Sequence, residues 1–248
     1  MVEPGSRRAR QFAWILYVME PLPMKSKNPL ILFRRHFLNL VLGAFAIACP
    51  CSAMAQTSDA GFELLFDGKT MDGWEGNPDW FRIQEGAIVA GSLDKSIPHN
   101  EFLCTKKHYE NFELRLQVKL QGQGDNAGIQ FRSKRLPQNT EVSGFQCDVG
   151  NAFGRPVWGA LYDESRRNKM LAEGDPNLVP TWLKKDDWND LTVRADKNKI
   201  QILLNGHETV LYQEDDPTIA PSGVIGLQIH SGPPTEAWYR NIRIKPLP

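Results

Sequence analysis

The sequence predicts an all-β, single-domain antiparallel β-sandwich or jelly roll, on three observations. Short apolar/polar alternations recur about every 8–12 residues, the spacing of strands in such folds. Turn dipeptides separate them, among them Asp67-Gly68, Asp72-Gly73, Glu85-Gly86 and Asn205-Gly206. Only one stretch after residue 55, 163–172 (DESRRNKMLA), has the character of a helix, of one or two turns.

In chain order, residues 34–55 (RRHFLNLVLGAFAIACPCSAMA) have the layout of a secretory signal. A basic pair precedes an apolar run from Phe37 to Ala48 and an Ala53-Met54-Ala55 cleavage motif. The run is shorter than the ~20 residues of a membrane span, so residues 1–55 are expected to be removed, with Met24 a better start than Met1. Lipidation at Cys49 is the rival. The protein is therefore expected to be exported, to the periplasm or to the extracellular space and cell surface, with no stable membrane span. Seven of the 29 basic and two of the 29 acidic residues fall in 1–55, which leaves 22 and 27, net −5, in the remainder. A mildly acidic chain without a basic cluster does not fit nucleic acid.

Residues 56–60 form a short tail, and 61–248 the domain. Strands are expected at Glu63–Phe66, in a hairpin over 80–92 about Glu85-Gly86, and at Glu101–Thr105. FELRLQVKL (112–120) alternates most cleanly, with Phe112, Leu114, Leu116, Val118 and Leu120 inside. NAGIQFRS (126–133) and SGFQCDVG (143–150) follow as strands between polar, Gly/Pro-containing loops. An irregular segment over 173–187 leads into strands at 188–196, 200–206, 208–214, 224–231 and 237–247. Cys104 and Cys147 could bridge in an oxidising compartment or serve as small buried hydrophobes.

Three of these strands carry polar faces unlike an ordinary wet one. Gln130 and Arg132, Gln146 and Asp148, and Gln228 and His230 each alternate with core residues, and in one sheet they would converge on a single surface. Asp is disfavoured in strands, so Asp148 needs a reason: a hydrogen-bond network, proton transfer, or a divalent metal held with His230. Trp158, Tyr162, Phe153 and Trp182 lie in or near the flanking loops and fit either core packing or sugar platforms. Arg166 and Arg167 either pair with Asp163 or Glu164 or reach substrate. No G-x-S-x-G elbow, H-E-x-x-H helix or E-x-D-x-x-E strand is present, so serine hydrolase, zincin and standard two-carboxylate glycosidase chemistry are not readable.

The opening LFDGKTMDGW (65–74), with FELRLQVKL, NAGIQFRS, SGFQCDVG, WGALYDESRRNK (158–169), GLQIHSG (226–232) and YRNIRIK (239–245), resembles the 3-keto-disaccharide hydrolase family. The resemblance covers about 61–248 and implies a concanavalin-like jelly roll acting on glycosides oxidised at C3, with an oxidised glycoside or disaccharide as partner. A ketone at C3 acidifies the C2 proton, so a base can remove it and expel the C1 oxygen, after which water adds. On that chemistry His230 or Asp148 is the expected base, and Arg132, or a divalent metal on Asp148 and His230, the electrophile. Tyr162 or Glu164 would protonate the leaving group. Gln130, Gln146, Trp158, Gln228 and Arg166 would bind the sugar. Alternatives on the same face are a non-catalytic carbohydrate-binding module and a cell-surface adhesion domain.

Overall fold

The computed structural model describes residues 60–137 and 139–248; the signal-like segment 34–55 and the tail up to residue 59 lie outside them. Among the described residues the chain forms β1 (Glu63–Leu64), β2 (Trp74–Glu75), β3 (Phe81–Gln84), β4 (Ala87–Ser92), β5 (Glu101–Thr105) and β6 (Phe112–Gly122). Then come β7 (Asn126–Arg135), β8 (Val142–Ala152), β9 (Arg155–Pro156), β10 (Leu161–Glu164), β11 (Lys169–Ala172) and one short helix, α1 (Val179–Trp182). β12 (Asn189–Asp196), β13 (Lys199–Leu204), β14 (His207–Gln213), β15 (Val224–Ile229) and β16 (Thr235–Pro246) complete it.

The strands build two eight-stranded antiparallel sheets, which is the predicted jelly-roll class. The first runs β14-β13-β12-β6-β16-β4-β3, with β1 on β16; the second runs β11-β10-β8-β7-β15-β5-β2, with β9 on β8. Alternation explains why they stack. Phe112, Leu114, Leu116 and Val118 of β6 and Ile129, Phe131, Phe145, Cys147 and Val149 of β7 and β8 join one core cluster. Full burial of each large apolar side chain contributes about 1.5–3 kcal/mol. Tyr239 of β16 crosses the layer, its Oη donating to Gln228 O of the second sheet at 2.6 Å. Two hairpins close as the dipeptides predict: Glu85-Gly86 and Asn205-Gly206 both hold positive φ, which a tight type I′ hairpin requires.

The helix expected over 163–172 is not formed; β10 and β11 pair as a hairpin there. Ser165 and Asn168 take φ of 50°, outside the helical region. Asp163 is fully buried and accepts from Arg166 Nε at 2.8 Å and from Arg167 Nε. These ion pairs have helix-like i,i+3 and i,i+4 spacing yet knit a turn, and that spacing is what misleads a periodicity argument. Arg167 also donates to Glu214 Oε2 at 2.6 Å, tying the turn to the end of β14. Cys104 and Cys147 are both free and buried. They occupy opposite faces of their sheet, in separate clusters, so no bridge joins them.

Candidate active site

Gln130 of β7, Gln146 and Asp148 of β8, Tyr162 and Glu164 of β10 and Gln228 of β15 lie on the face of the second sheet turned away from the core. Register makes the rows explicit. Gln228 pairs with Gly128 and Gly128 with Asp148, while Gly226 pairs with Gln130, Gln130 with Gln146, and Gln146 with Tyr162. The glycines are what allow long amides to lie flat against the sheet. A Cβ on Gly128 would stand 2.5 Å from Gln146 Cδ. The buried amides form a directed chain. Gln130 Nε2 donates to Gln146 Oε1, and Gln146 Nε2 donates to Asp148 Oδ1 at 2.7 Å. Ser133 Oγ sits 3.0 Å from Gln130 Oε1 and donates toward it. Asp148 is thus the terminal acceptor.

Asp148 lines a cavity of about 390 Å3 together with Gln146, Tyr162, Glu164, His230, Asn100, Asn126, Ala152 and Phe153. Asp148 is only 6% exposed. Burial pushes its pKa up to about 7, against the opposing effect of the Gln146 hydrogen bond, and the Glu164 charge pushes it further the same way. Glu164 is raised as well, first by burial and then by Glu141, with His230 opposing. Burial also raises the Tyr162 phenol, helped by the Glu164 charge. His230 Nδ1 lies 2.7 Å from Ser231 O, which can only accept, so the Nδ1 proton is fixed and Nε2 is the free position of the neutral ring. The cavity thus joins a near-neutral carboxyl, a second carboxyl with raised pKa, a phenol and an imidazole, the pattern expected of proton-transfer sites.

Five of the expected residues therefore meet: Asp148, His230, Tyr162, Glu164 and Gln146. Gln130 lies beneath them, fully buried, and acts through Gln146. Gln228 is on the row of Asp148 across Gly128 but is fully buried and does not line the cavity. Arg132 departs from the expectation. The β7–β8 register slips between Phe131 and Lys134, and Arg132 takes φ of 47°. This bulge puts Ser133 on the Gln130 face and turns Arg132 to Glu110 O and Lys197 O, both at 2.7 Å, and to Asn111 Oδ1. It clamps the sandwich and is no electrophile of this cavity. Trp158, 7% exposed, packs in the core instead of offering a platform. Arg166 is held by Asp163 and lies 4.5 Å from the Phe145 ring centroid; it too is outside the cavity. Among the described residues no group of three or more His, Cys, Asp or Glu could hold a metal ion. Asp148 and His230 do not by themselves form a metal site.

Asn100, Asn126, Ala152 and Phe153 complete the cavity lining. The asparagines carry no sequence signal, since each already serves the backbone, with Ser231 N donating to Asn100 Oδ1 and Asn126 Nδ2 donating to Asn151 O. Phe153 stands at the tip of the β8–β9 hairpin, 72% exposed, with φ of 54°. A bulky residue there carries strain of order 1–3 kcal/mol.

Comparison with known proteins agrees with the fold. A model of the 3-keto-alpha-glucoside-1,2-lyase-like domain matches residues 61–245. A 3-keto-disaccharide hydrolase of Bacteroides thetaiotaomicron is 22% identical over 232 residues, covering 75% of this chain and 79% of that protein. Among solved structures, two Parabacteroides distasonis proteins assigned as glycosyl hydrolases share the fold. They have TM-scores of 0.58 and 0.54 and identities of 20% and 22%; the matches cover 76% and 75% of this chain and 95% and 99% of theirs. A carbohydrate-binding module from Bacillus subtilis also aligns, at TM-score 0.50 and 13% identity, over 70% of this chain and 95% of the module. No helix among the described residues is long and apolar enough to cross a membrane.

Proposed function

The chain belongs to the 3-keto-alpha-glucoside-1,2-lyase-like family, and on that premise we propose that it is an exported enzyme cleaving 3-keto-glycosides by elimination and hydration. One observation carries the reading: a buried carboxyl poised near pH 7 in a cavity that also offers a phenol, a second carboxyl and an imidazole. Asp148, ionised, removes the proton from C2, which the C3 ketone acidifies. The electron pair forms the enolate and then the C1–C2 double bond as the C1–O bond breaks. Tyr162 or Glu164 gives the departing oxygen its proton. Water then adds its hydroxyl at C1, giving its other proton to the Tyr162 or Glu164 left deprotonated by the first step, and Asp148 returns its proton to C2.

A base is most effective when its pKa lies near the working pH, and desolvation supplies that here without a cationic neighbour. With Arg132 engaged elsewhere, the Asn100 side-chain amide is the donor of the cavity lining left to face charge on the enolate oxygen. Gln146 orients Asp148 and Gln130 orients Gln146. Export rests on the segment 34–55. Asp148→Asn keeps the shape and the Gln146 hydrogen bond but cannot accept the proton. Turnover of a 3-keto-disaccharide should drop by about 10²–10⁴-fold; a wild-type rate would remove Asp148 from the base role.

The competing reading is a non-catalytic sugar binder, favoured by the exposed aromatic ring of Phe153 at the cavity rim. It requires glycan binding that survives Asp148→Asn in a protein with no turnover.

A further inference from the structure

Phe153 combines two features that each disfavour it. An aromatic ring is left 72% in solvent, and a bulky side chain sits at φ of 54°, where Asn or Gly is the comfortable choice. The hairpin is nonetheless firmly built. Asn151 N donates to Asp125 O, Asn151 Nδ2 to Asp125 Oδ2, Asn126 Nδ2 to Asn151 O, and Arg155 pairs with Glu173. The Phe153 ring is flanked by Tyr162 at 6.4 Å, tilted 39°, and by the Arg155 guanidinium at 5.8 Å. A rigid, exposed aromatic plate therefore stands beside Tyr162 on the rim of the cavity floored by Asp148.

The cavity, about 390 Å3, is open to solvent and Phe153 is part of its lining, so a sugar seated over Asp148 can carry a second ring out against Phe153. We propose that Phe153 is the platform on which the leaving-group sugar stacks, making this a site for disaccharides in preference to simple alkyl glycosides. This deepens the reading of the cavity as a carbohydrate site and rests on it. The C–H face of a pyranose is the apolar surface that matches an exposed ring. Tyr162, between plate and floor, lies where the bridging oxygen would pass.

The test compares binding of a 3-keto-disaccharide and of the methyl 3-keto-glucoside by titration calorimetry. The protein carries Asp148→Asn so that ligand is not consumed, and is measured with and without Phe153→Asn. Asn accepts positive φ, so the melting temperature should hold or rise. The disaccharide should bind about tenfold more tightly than the methyl glycoside, a preference that Phe153→Asn erases while leaving the methyl glycoside unchanged. A preference absent from the start, or intact after Phe153→Asn, overturns the platform. Failure of both ligands to bind overturns it together with the carbohydrate site. Turnover by otherwise wild-type protein separates the two ideas. Cleavage with an unaffected preference removes only the platform; a Phe153-dependent preference without cleavage removes only the catalysis.

Discussion

At the scale of single residues, Asp148 is where function and stability pull apart. Its carboxyl is held near 7 in the fold, against 3.8 as the ordinary value, chiefly by burial. Below pH 4 it is protonated whether folded or unfolded, and its contribution to stability is fully present. That contribution is lost as the pH rises through 7, because the fold resists an ionisation that the unfolded chain accepts freely. At ~1.36 kcal/mol per pH unit the loss is of order 4 kcal/mol. Asp148→Asn should therefore raise the melting temperature at pH 8 and change it little at pH 4, while wild-type kcat/KM rises with pH to half its maximum near 7. Melting curves and a pH–rate profile check both. Equal effects on melting at the two pH values would mean that the carboxyl is not held neutral by burial. The base candidate was legible because an Asp alternating with core residues has no ordinary place in a strand. Its partners Tyr162 and Glu164 could be named, but that they face the same cavity depends on the pairing of β8 with β10.

At the scale of elements, β7 decides which side chains reach the site. Its alternation puts Gln130 and Arg132 on one face, and the bulge after Phe131 breaks that rule. Nothing in NAGIQFRS marks the bulge, because the residue that bulges is an ordinary Arg whose three acceptors lie in other parts of the chain. Arg132→Ala leaves the Glu110 and Lys197 carbonyls without their donor and should cost about 1–3 kcal/mol. Denaturant unfolding would show that loss with an unchanged pH–rate profile below the melting range; a kcat collapse at full stability would return Arg132 to the chemistry. Gly128 tests the other half of the strand. Gly128→Ala drives a methyl into Gln146, so Gln146 loses its hold on Asp148. Turnover should fall at least tenfold and the acid limb of the pH profile should move up, since the Gln146 hydrogen bond lowers the Asp148 pKa. A tolerant Gly128→Ala would mean that the amide chain does not position the base. The 163–172 hairpin was missed for a related reason. Salt-bridge spacing that suits a helix also suits a tight turn around a buried Asp163, and local sequence does not distinguish them.

At the scale of the whole molecule, the fold was the most legible part. Period-2 alternation and turn dipeptides place nearly every long strand, because each must bury one face and expose the other. The order of strands in the sheets is not local information, and it is this order that gathers residues 100 to 230 around one cavity. It also explains the errors about Trp158 and Arg166, both next to the site in sequence but packed or paired elsewhere. The register of β5 on β15, β15 on β7 and β7 on β8 likewise places Cys104 and Cys147 on opposite faces. The account's central claim is that this face performs elimination on a ketone-bearing sugar. The most direct test incubates the purified protein and its Asp148→Asn variant with a 3-keto-disaccharide and with the unoxidised parent, following products by NMR. Cleavage of the keto sugar alone, lost in Asp148→Asn, is the predicted result. Equal cleavage of the parent, or saturable binding of the keto sugar with no cleavage by the wild type, would contradict it.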